Sequence, residues 1–142
     1  MALETWKLLR VTFAVRAVQI LISVASHTLL GDYDTSTMLL YPEEAAGGGS
    51  GFCDALRVLA TTFDHWDSVH LMGVAEHGYV YEHNHAFYPA VPFVASWISK
   101  LGAGGCDDRT VLIVGCLLLN NLLFSGAVVV MHFLSLKVLR SE

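Results

Sequence analysis

Basic residues are scarce in this sequence: eight Lys and Arg stand against thirteen Asp and Glu among 142 residues, a formal net charge of −5. So acidic an accessible surface repels phosphates, which argues against a nucleic-acid partner. Cysteine is nearly absent too. Cys53, Cys106 and Cys116 are too few and too scattered for a metal cage or a disulfide framework. No HExxH, internal repeat or heptad pattern is visible. The largest deficit is charge of either sign, at 15% of residues against about 25% in soluble domains.

Apolar residues fill the gap, at 54% of the chain with a mean hydropathy of +0.54. Two runs, Val11 to Leu30 and Val111 to Leu136, meet the roughly 20-residue length that crosses about 30 Å of hydrocarbon as a helix. The first contains Arg16, Gln19 and His27. A cleavable signal peptide competes for this run, but Arg16 splits its apolar stretch and favours an uncleaved signal-anchor. Arg16 also stands near enough to the N-terminal end to snorkel. In the second run Asn120 and Asn121 fall mid-span, where amides bond to neighbouring helices, and they predict packing partners beyond these two spans.

Charge gives the orientation. Lys7, Arg10, Arg16, Lys137 and Arg140 against Glu4 and Glu142 leave a net of +3 outside the inter-span segment. Residues 31–109 hold eleven acids against Arg57, Lys100 and Arg109, a net of −8. The positive-inside rule then predicts a cytosolic N-terminus over 1–10, a span over 11–30, a luminal loop over 31–109, a span over 110–136 and a cytosolic end over 137–142. The fold class is an all-α membrane protein, two transmembrane helices flanking a luminal loop with short juxtamembrane helices. Cys53 and Cys106 share the oxidising side and could pair, or remain as two separate thiols.

Within the loop, Gly31 to Met38 is a polar exit and Glu43 to Gly51 a flexible linker by composition. Asp54 to Thr62 suits a short amphipathic helix with Asp54 as N-cap. His65 to Ala75 reads as a second helix broken at Gly78, with Asp64, Asp67 and His70 sharing a broad face and Trp66 neighbouring His70. Pro89 and Pro92 open a third apolar segment. At about 16 residues, Ala86 to Leu101 is short for a span and suits a helix lying on the membrane. Gly102 to Gly105 then breaks the chain.

Phe63 to Pro92 carries the chemistry. Five of the seven histidines lie here (His65, His70, His77, His83, His85), among Asp64, Asp67, Glu76, Glu82 and six aromatic rings. Asp67 is the candidate catalytic base, since a transferase that moves a sugar from a lipid phosphate must deprotonate an acceptor hydroxyl. Capping of a helix is the plain alternative for Asp64 or Asp67. Trp66, Tyr79, Tyr81, Phe87 and Tyr88 suit sugar stacking or an interfacial aromatic belt. His83-Asn84-His85 is a weak metal signal, and no metal site is assigned. The histidines can instead hydrogen-bond or meet a donor phosphate.

Trp66-Asp67-Ser68-Val69-His70, then Ala75-Glu76-His77-Gly78-Tyr79-Val80-Tyr81-Glu82-His83 and Ala86-Phe87-Tyr88-Pro89-Ala90-Val91-Pro92, closely resemble the first luminal loop of the GPI mannosyltransferase 2 (PIG-V) family. Asp32-Tyr33-Asp34-Thr35-Ser36 looks like the segment after that family's first helix. The resemblance implies a multi-pass GT-C-type glycosyltransferase of the endoplasmic reticulum membrane. It would transfer the second, α-1,6-linked mannose from dolichol-phosphate mannose to the GPI precursor lipid, with no cofactor and with a small membrane accessory subunit as a candidate partner. It also implies Asp67 as the base, with Trp66, His70, Glu76, Tyr79, Tyr81, Glu82, Phe87 and Pro89 at the substrate.

Members of that family run to several hundred residues with more spans. The sequence is therefore expected to be an N-terminal portion, inactive in isolation, and the Gly-rich linker an insertion. A non-catalytic membrane subunit that binds or stabilises a transferase is the competing function. A histidine-rich metal-binding membrane protein is a weaker third.

Overall fold

The computed structural model describes residues 2–30, 51–100 and 106–139. The polar exit, nearly all of the linker and the break at 102–105 lie outside the described residues. Helix α1 spans Ala2–Leu30, α2 Gly51–Phe63, α3 Asp67–His77, a 3-10 turn Glu82–Ala86, α4 Ala90–Ser99 and α5 Asp108–Leu139. Every regular element among the described residues is helical.

Helices α1 and α5 form because long apolar runs leave the backbone only itself to bond with. At 29 and 32 residues they extend about 43 and 48 Å at 1.5 Å per residue, enough to cross a bilayer. Their apolar side chains face outward: 6% of the apolar stretch within Glu4–Leu30 is buried, and 17% of that within Asp108–Leu139. Leu21, Ile22, Leu122 and Leu123 are each more than 60% exposed. A soluble core helix would bury this surface, so the two are membrane-spanning helices of an all-α membrane protein.

Polar side chains inside the spans are satisfied locally or by each other. Thr12, Thr28, Ser125 and Ser135 return their hydroxyls to carbonyls four residues back. Arg16 is paired between the two long helices. Its Nε donates to Asn121 Oδ1 at 2.7 Å, one Nη to Gln19 Oε1 at 3.1 Å, and its guanidinium sits 4.8 Å from the Phe124 ring centre. Asn121 thus finds a partner on α1, while Asn120 is exposed.

The short helices gather on the N-terminal half of α5. Ala60 of α2, Met72 of α3, Ala95 of α4 and Leu112 and Ile113 of α5 form the core, with Phe63, Leu71, Ala75, Val114 and Cys116 packed around it. Alanines at 0% exposure let α2 and α4 approach α5 closely. The α4–α5 contact is closer still, for a Cβ on Gly115 would overlap Ile98 Cγ2. At ten residues, about 15 Å, α4 cannot cross the hydrocarbon as a helix.

Two boundaries differ from the sequence reading. Helix α2 starts at Gly51, which places Asp54 inside its first turn rather than at its cap. The α5 start is capped by Asp107, whose Oδ1 accepts from Thr110 N at 2.8 Å. Cys53 in the first turn of α2 is disulfide-bonded to Cys106 just ahead of α5, with Cα atoms 5.3 Å apart. The two cysteines are therefore paired, not separate thiols. Closing a loop between positions 53 apart contributes about 4 kcal/mol in the chain-entropy account.

Candidate active site at a helix elbow

The single helix expected from His65 is interrupted. Asp64 N still donates to Ala60 O at 2.9 Å, which makes Asp64 the tail of α2, and α3 starts only at Asp67. Asp64 and Asp67 consequently do not share a helical face. Trp66 between them adopts φ 56°, ψ −125°, the one described non-glycine residue with positive φ. For a bulky side chain that conformation costs on the order of 1–3 kcal/mol. The far end of α3 agrees with the sequence: Gly78 at φ 79° terminates it, donating its N–H to Val74 O.

The elbow gives the two aspartates opposite fates. Asp64 is completely buried; its Oδ2 accepts from Arg109 Nε at 2.7 Å and its Oδ1 from Ser68 Oγ at 3.0 Å. Arg109 also donates an Nη–H to Glu76 Oε2 at 2.9 Å, joining α2, α3 and α5 through one guanidinium. A fully buried carboxylate matched by a mostly buried cation is a structural clamp, because the Asp64 charge is not open to a reactant. Asp67 stands in the first turn of α3, exposed, and among the described residues nothing hydrogen-bonds to its carboxylate. Trp66 beside it is 84% exposed. An open carboxylate next to an open indole can take a proton while the ring faces a sugar.

A wall of rings follows. His70 stacks on Phe87 with centroids 5.4 Å apart and meets His83 edge-on at 5.7 Å. His83 stacks on Tyr81 at 5.5 Å, and His85 on Tyr79 at 4.9 Å. The Tyr79 hydroxyl fixes the turn by donating to Phe87 O at 2.9 Å. His70, His77, Tyr81, His83 and buried Asn84 line a cleft of about 460 Å³.

The structure thus brings His70, Tyr79, Tyr81 and Phe87 into one wall and leaves Trp66 and Asp67 at the elbow. Glu76 is held by Arg109. Glu82 opens the 3-10 turn and Pro89 caps α4, both exposed. Trp66 is no helical neighbour of His70, which packs on Phe87 instead. Among the described residues no group of three or more His, Cys, Asp or Glu is placed to hold a metal.

Sequence reasoning passed over Arg109 and the pair His27–His65, whose ring centres are 5.9 Å apart across α1 and the elbow. Arg109 left one signal: it is one of three bases among eleven acids between the spans. The histidine pair left none, since 38 positions of chain separate its members.

Comparison with known proteins gives these features a context. Residues 5–142 match the family described as Mannosyltransferase (PIG-V). The human GPI alpha-1,6-mannosyltransferase 2 is 39% identical over 94 residues, which cover 63% of this chain and 19% of the human protein. The rat protein of the same name is 38% identical over the same shares. The Chinese hamster (Cricetulus griseus) protein is 40% identical over 77 residues, 52% of this chain and 16% of its own. The chain therefore spans about a fifth of the length of the curated relatives it matches. No solved structure matches. With the match running over nearly its whole length, the chain belongs to the PIG-V mannosyltransferase family.

Proposed function

We propose that this chain supplies the first luminal loop of a GT-C-type GPI mannosyltransferase, a multi-pass protein of the endoplasmic reticulum membrane. The reaction is transfer of the second, α-1,6-linked mannose from dolichol-phosphate mannose to the GPI precursor lipid. The observation that carries the reading is the exposed, unengaged carboxylate of Asp67 beside Trp66, in a chain of this family whose neighbouring Asp64 is consumed by Arg109.

In this reading Asp67 accepts the proton of the acceptor hydroxyl as the hydroxyl oxygen forms its bond to C1 of mannose. The bond from C1 to the phosphate oxygen breaks on the opposite face, and dolichyl phosphate leaves with the electron pair. One base suffices for such an inversion, with no covalent intermediate. The Trp66 indole and the wall of His70, Tyr79, Tyr81 and Phe87 offer stacking surfaces for the sugar, while Glu76, Glu82 and Pro89 border them. A small membrane accessory subunit is a candidate partner of the complete enzyme.

The test is Asp67→Asn in the complete protein, expressed in cells lacking this activity and read by cell-surface GPI-anchored proteins. Loss of the base should lower transfer by about 10²–10⁴-fold at unchanged protein abundance. Full rescue by the Asn variant would remove Asp67 as the base. Loss of abundance along with activity would favour a stabilising, non-catalytic loop.

A further inference from the structure

The cleft of about 460 Å³ between α3 and the 3-10 turn holds a polar group that the chain leaves unmatched. Asn84 lines it and is only 8% exposed, yet no group among the described residues hydrogen-bonds to its side-chain amide. Its backbone is already used in the turn, the N–H donating to Tyr81 O and the carbonyl accepting from Phe87 N. A buried amide without partners is costly, and the cleft is the open side from which it can be satisfied. Gly73 is a second anomaly. It stands in the interior of α3, where glycine weakens a helix, and a Cβ built on it meets no atom within 4 Å. Close packing therefore does not call for a glycine there. Gly73 lies between His70 and His77 on the face of α3 that lines the cleft, so its missing side chain leaves room for a ligand.

The chemistry of the lining selects the ligand. An amide presents two N–H donors and one carbonyl acceptor. A phosphate offers only acceptor oxygens and would leave that carbonyl unmatched. Carboxylates also flank the cleft, with Glu76 Oε2 3.9 Å from His77 Nδ1 and Glu82 between Tyr81 and His83 in the chain. Adjacent hydroxyls of a sugar both donate and accept, so they satisfy both ends of the amide. Tyr81, His70 and His83 add ring surface and further polar atoms. Two placements point to the acceptor's sugar. Asp67, which takes the acceptor's proton, stands one turn before His70 on α3. Among the described residues neither spanning helix lines the cleft, so its occupant is the sugar-bearing end of a lipid rather than its hydrocarbon or phosphate. Because the mannose to be added is the second, the acceptor already ends in one. Resting on the mannosyltransferase reading above, we infer that this cleft holds the terminal mannose of the acceptor glycolipid. Asn84 hydrogen-bonds two of its adjacent hydroxyls, and Gly73 keeps the floor open.

Histidine footprinting tests this without relying on turnover. Microsomes containing the complete protein are treated with diethyl pyrocarbonate, and carbethoxylation of His70, His77 and His83 is mapped by mass spectrometry. A synthetic GPI precursor ending in one mannose should protect these histidines severalfold, whereas dolichol-phosphate mannose and inorganic phosphate should not. Absence of protection by the acceptor overturns the inference, and so does equal protection by either of the other two. Asn84→Leu loses the amide at similar size. It should weaken the protection and raise the acceptor KM by about tenfold, with the donor KM unchanged. Gly73→Leu fills the floor and should raise the acceptor KM as strongly. Its unfolding temperature should stay at or above that of the wild type, because leucine is the better helix former. Retention of the Cys53–Cys106 bond, read by mobility on non-reducing gels, shows that each variant has folded. An unchanged acceptor KM in either folded variant means that water alone matches the amide, and the assignment falls. Equal rises in donor and acceptor KM would show a structural role and overturn it as well. The two readings separate cleanly. Lost transfer in Asp67→Asn with no protection by the acceptor keeps the enzyme and removes this site. Protection together with a fully active Asp67→Asn keeps the site and removes the base.

Discussion

Arg109 Nε lies 2.7 Å from the buried Oδ2 of Asp64, and this contact fixes the angle between α2 and α5 from which Trp66 and Asp67 project. The two side chains are 11% and 0% exposed, so removing either disrupts a charge pair withdrawn from water. Asp64→Asn and Arg109→Met should each destabilise the protein by about 3–5 kcal/mol. Steady-state abundance in the membrane is the readout, and both variants should fall several-fold where Asp67→Asn does not. The double variant should be little worse than either single, because the two belong to one network. Normal abundance in Asp64→Asn would remove the clamp.

Trp66 separates stability from activity. Its positive φ favours glycine, and its ring is 84% exposed, so little packing is lost with it. Strain relief of about 1–3 kcal/mol, less the greater freedom of an unfolded glycine, should leave Trp66→Gly more stable by about 1 kcal/mol. Thermal unfolding in detergent checks that gain. Activity should move the other way, with KM for the donor rising several-fold as about 1 kcal/mol of ring stacking disappears. A variant both less stable and fully active would contradict both parts.

Gly115 is a spacing residue. Any Cβ there meets Ile98 Cγ2, so Gly115→Val should push α4 off α5 and cost about 1–3 kcal/mol. Adding Ile98→Ala should restore part of the loss by opening room on the facing helix. Protease sensitivity between α4 and α5 gives the measurement, with the double variant less sensitive than Gly115→Val alone.

Asn121→Leu should weaken the pairing of the two spans by about 0.6–2 kcal/mol, since Arg16 loses its acceptor inside hydrocarbon. Heating in detergent should aggregate the variant a few degrees below wild type. Asn120→Leu, on an exposed position of the same helix, should leave that temperature unchanged.

These residues also mark what the sequence could and could not reveal. Helices α1 and α5 were legible because hydropathy over 20 residues is a local property, and Gly78 ended α3 where a glycine should. The elbow was not legible. Asp64-His65-Trp66-Asp67 carries no glycine or proline to announce a break, and the bend is stabilised by Arg109, 45 residues away. The pairing of Arg16 was hidden for the same reason, its partner being 105 residues distant. Asp67 and its aromatic neighbours could be named from side-chain chemistry. That Asp64 would be withdrawn from solvent while Asp67 stayed in it depends on packing that no local pattern encodes.

The bond between Cys53 and Cys106 sets an order of events. Cys106 directly precedes α5, so the covalent ring around the elbow and the ring wall cannot close until the chain leading into the second span has been made. Arg109, which neutralises Asp64, arrives only three residues later. During synthesis the elbow therefore waits, unfastened and with an unmatched acid, until the start of the second span supplies both its thiol and its cation. The elbow is locked from its far end, and by the step that threads the chain back across the membrane.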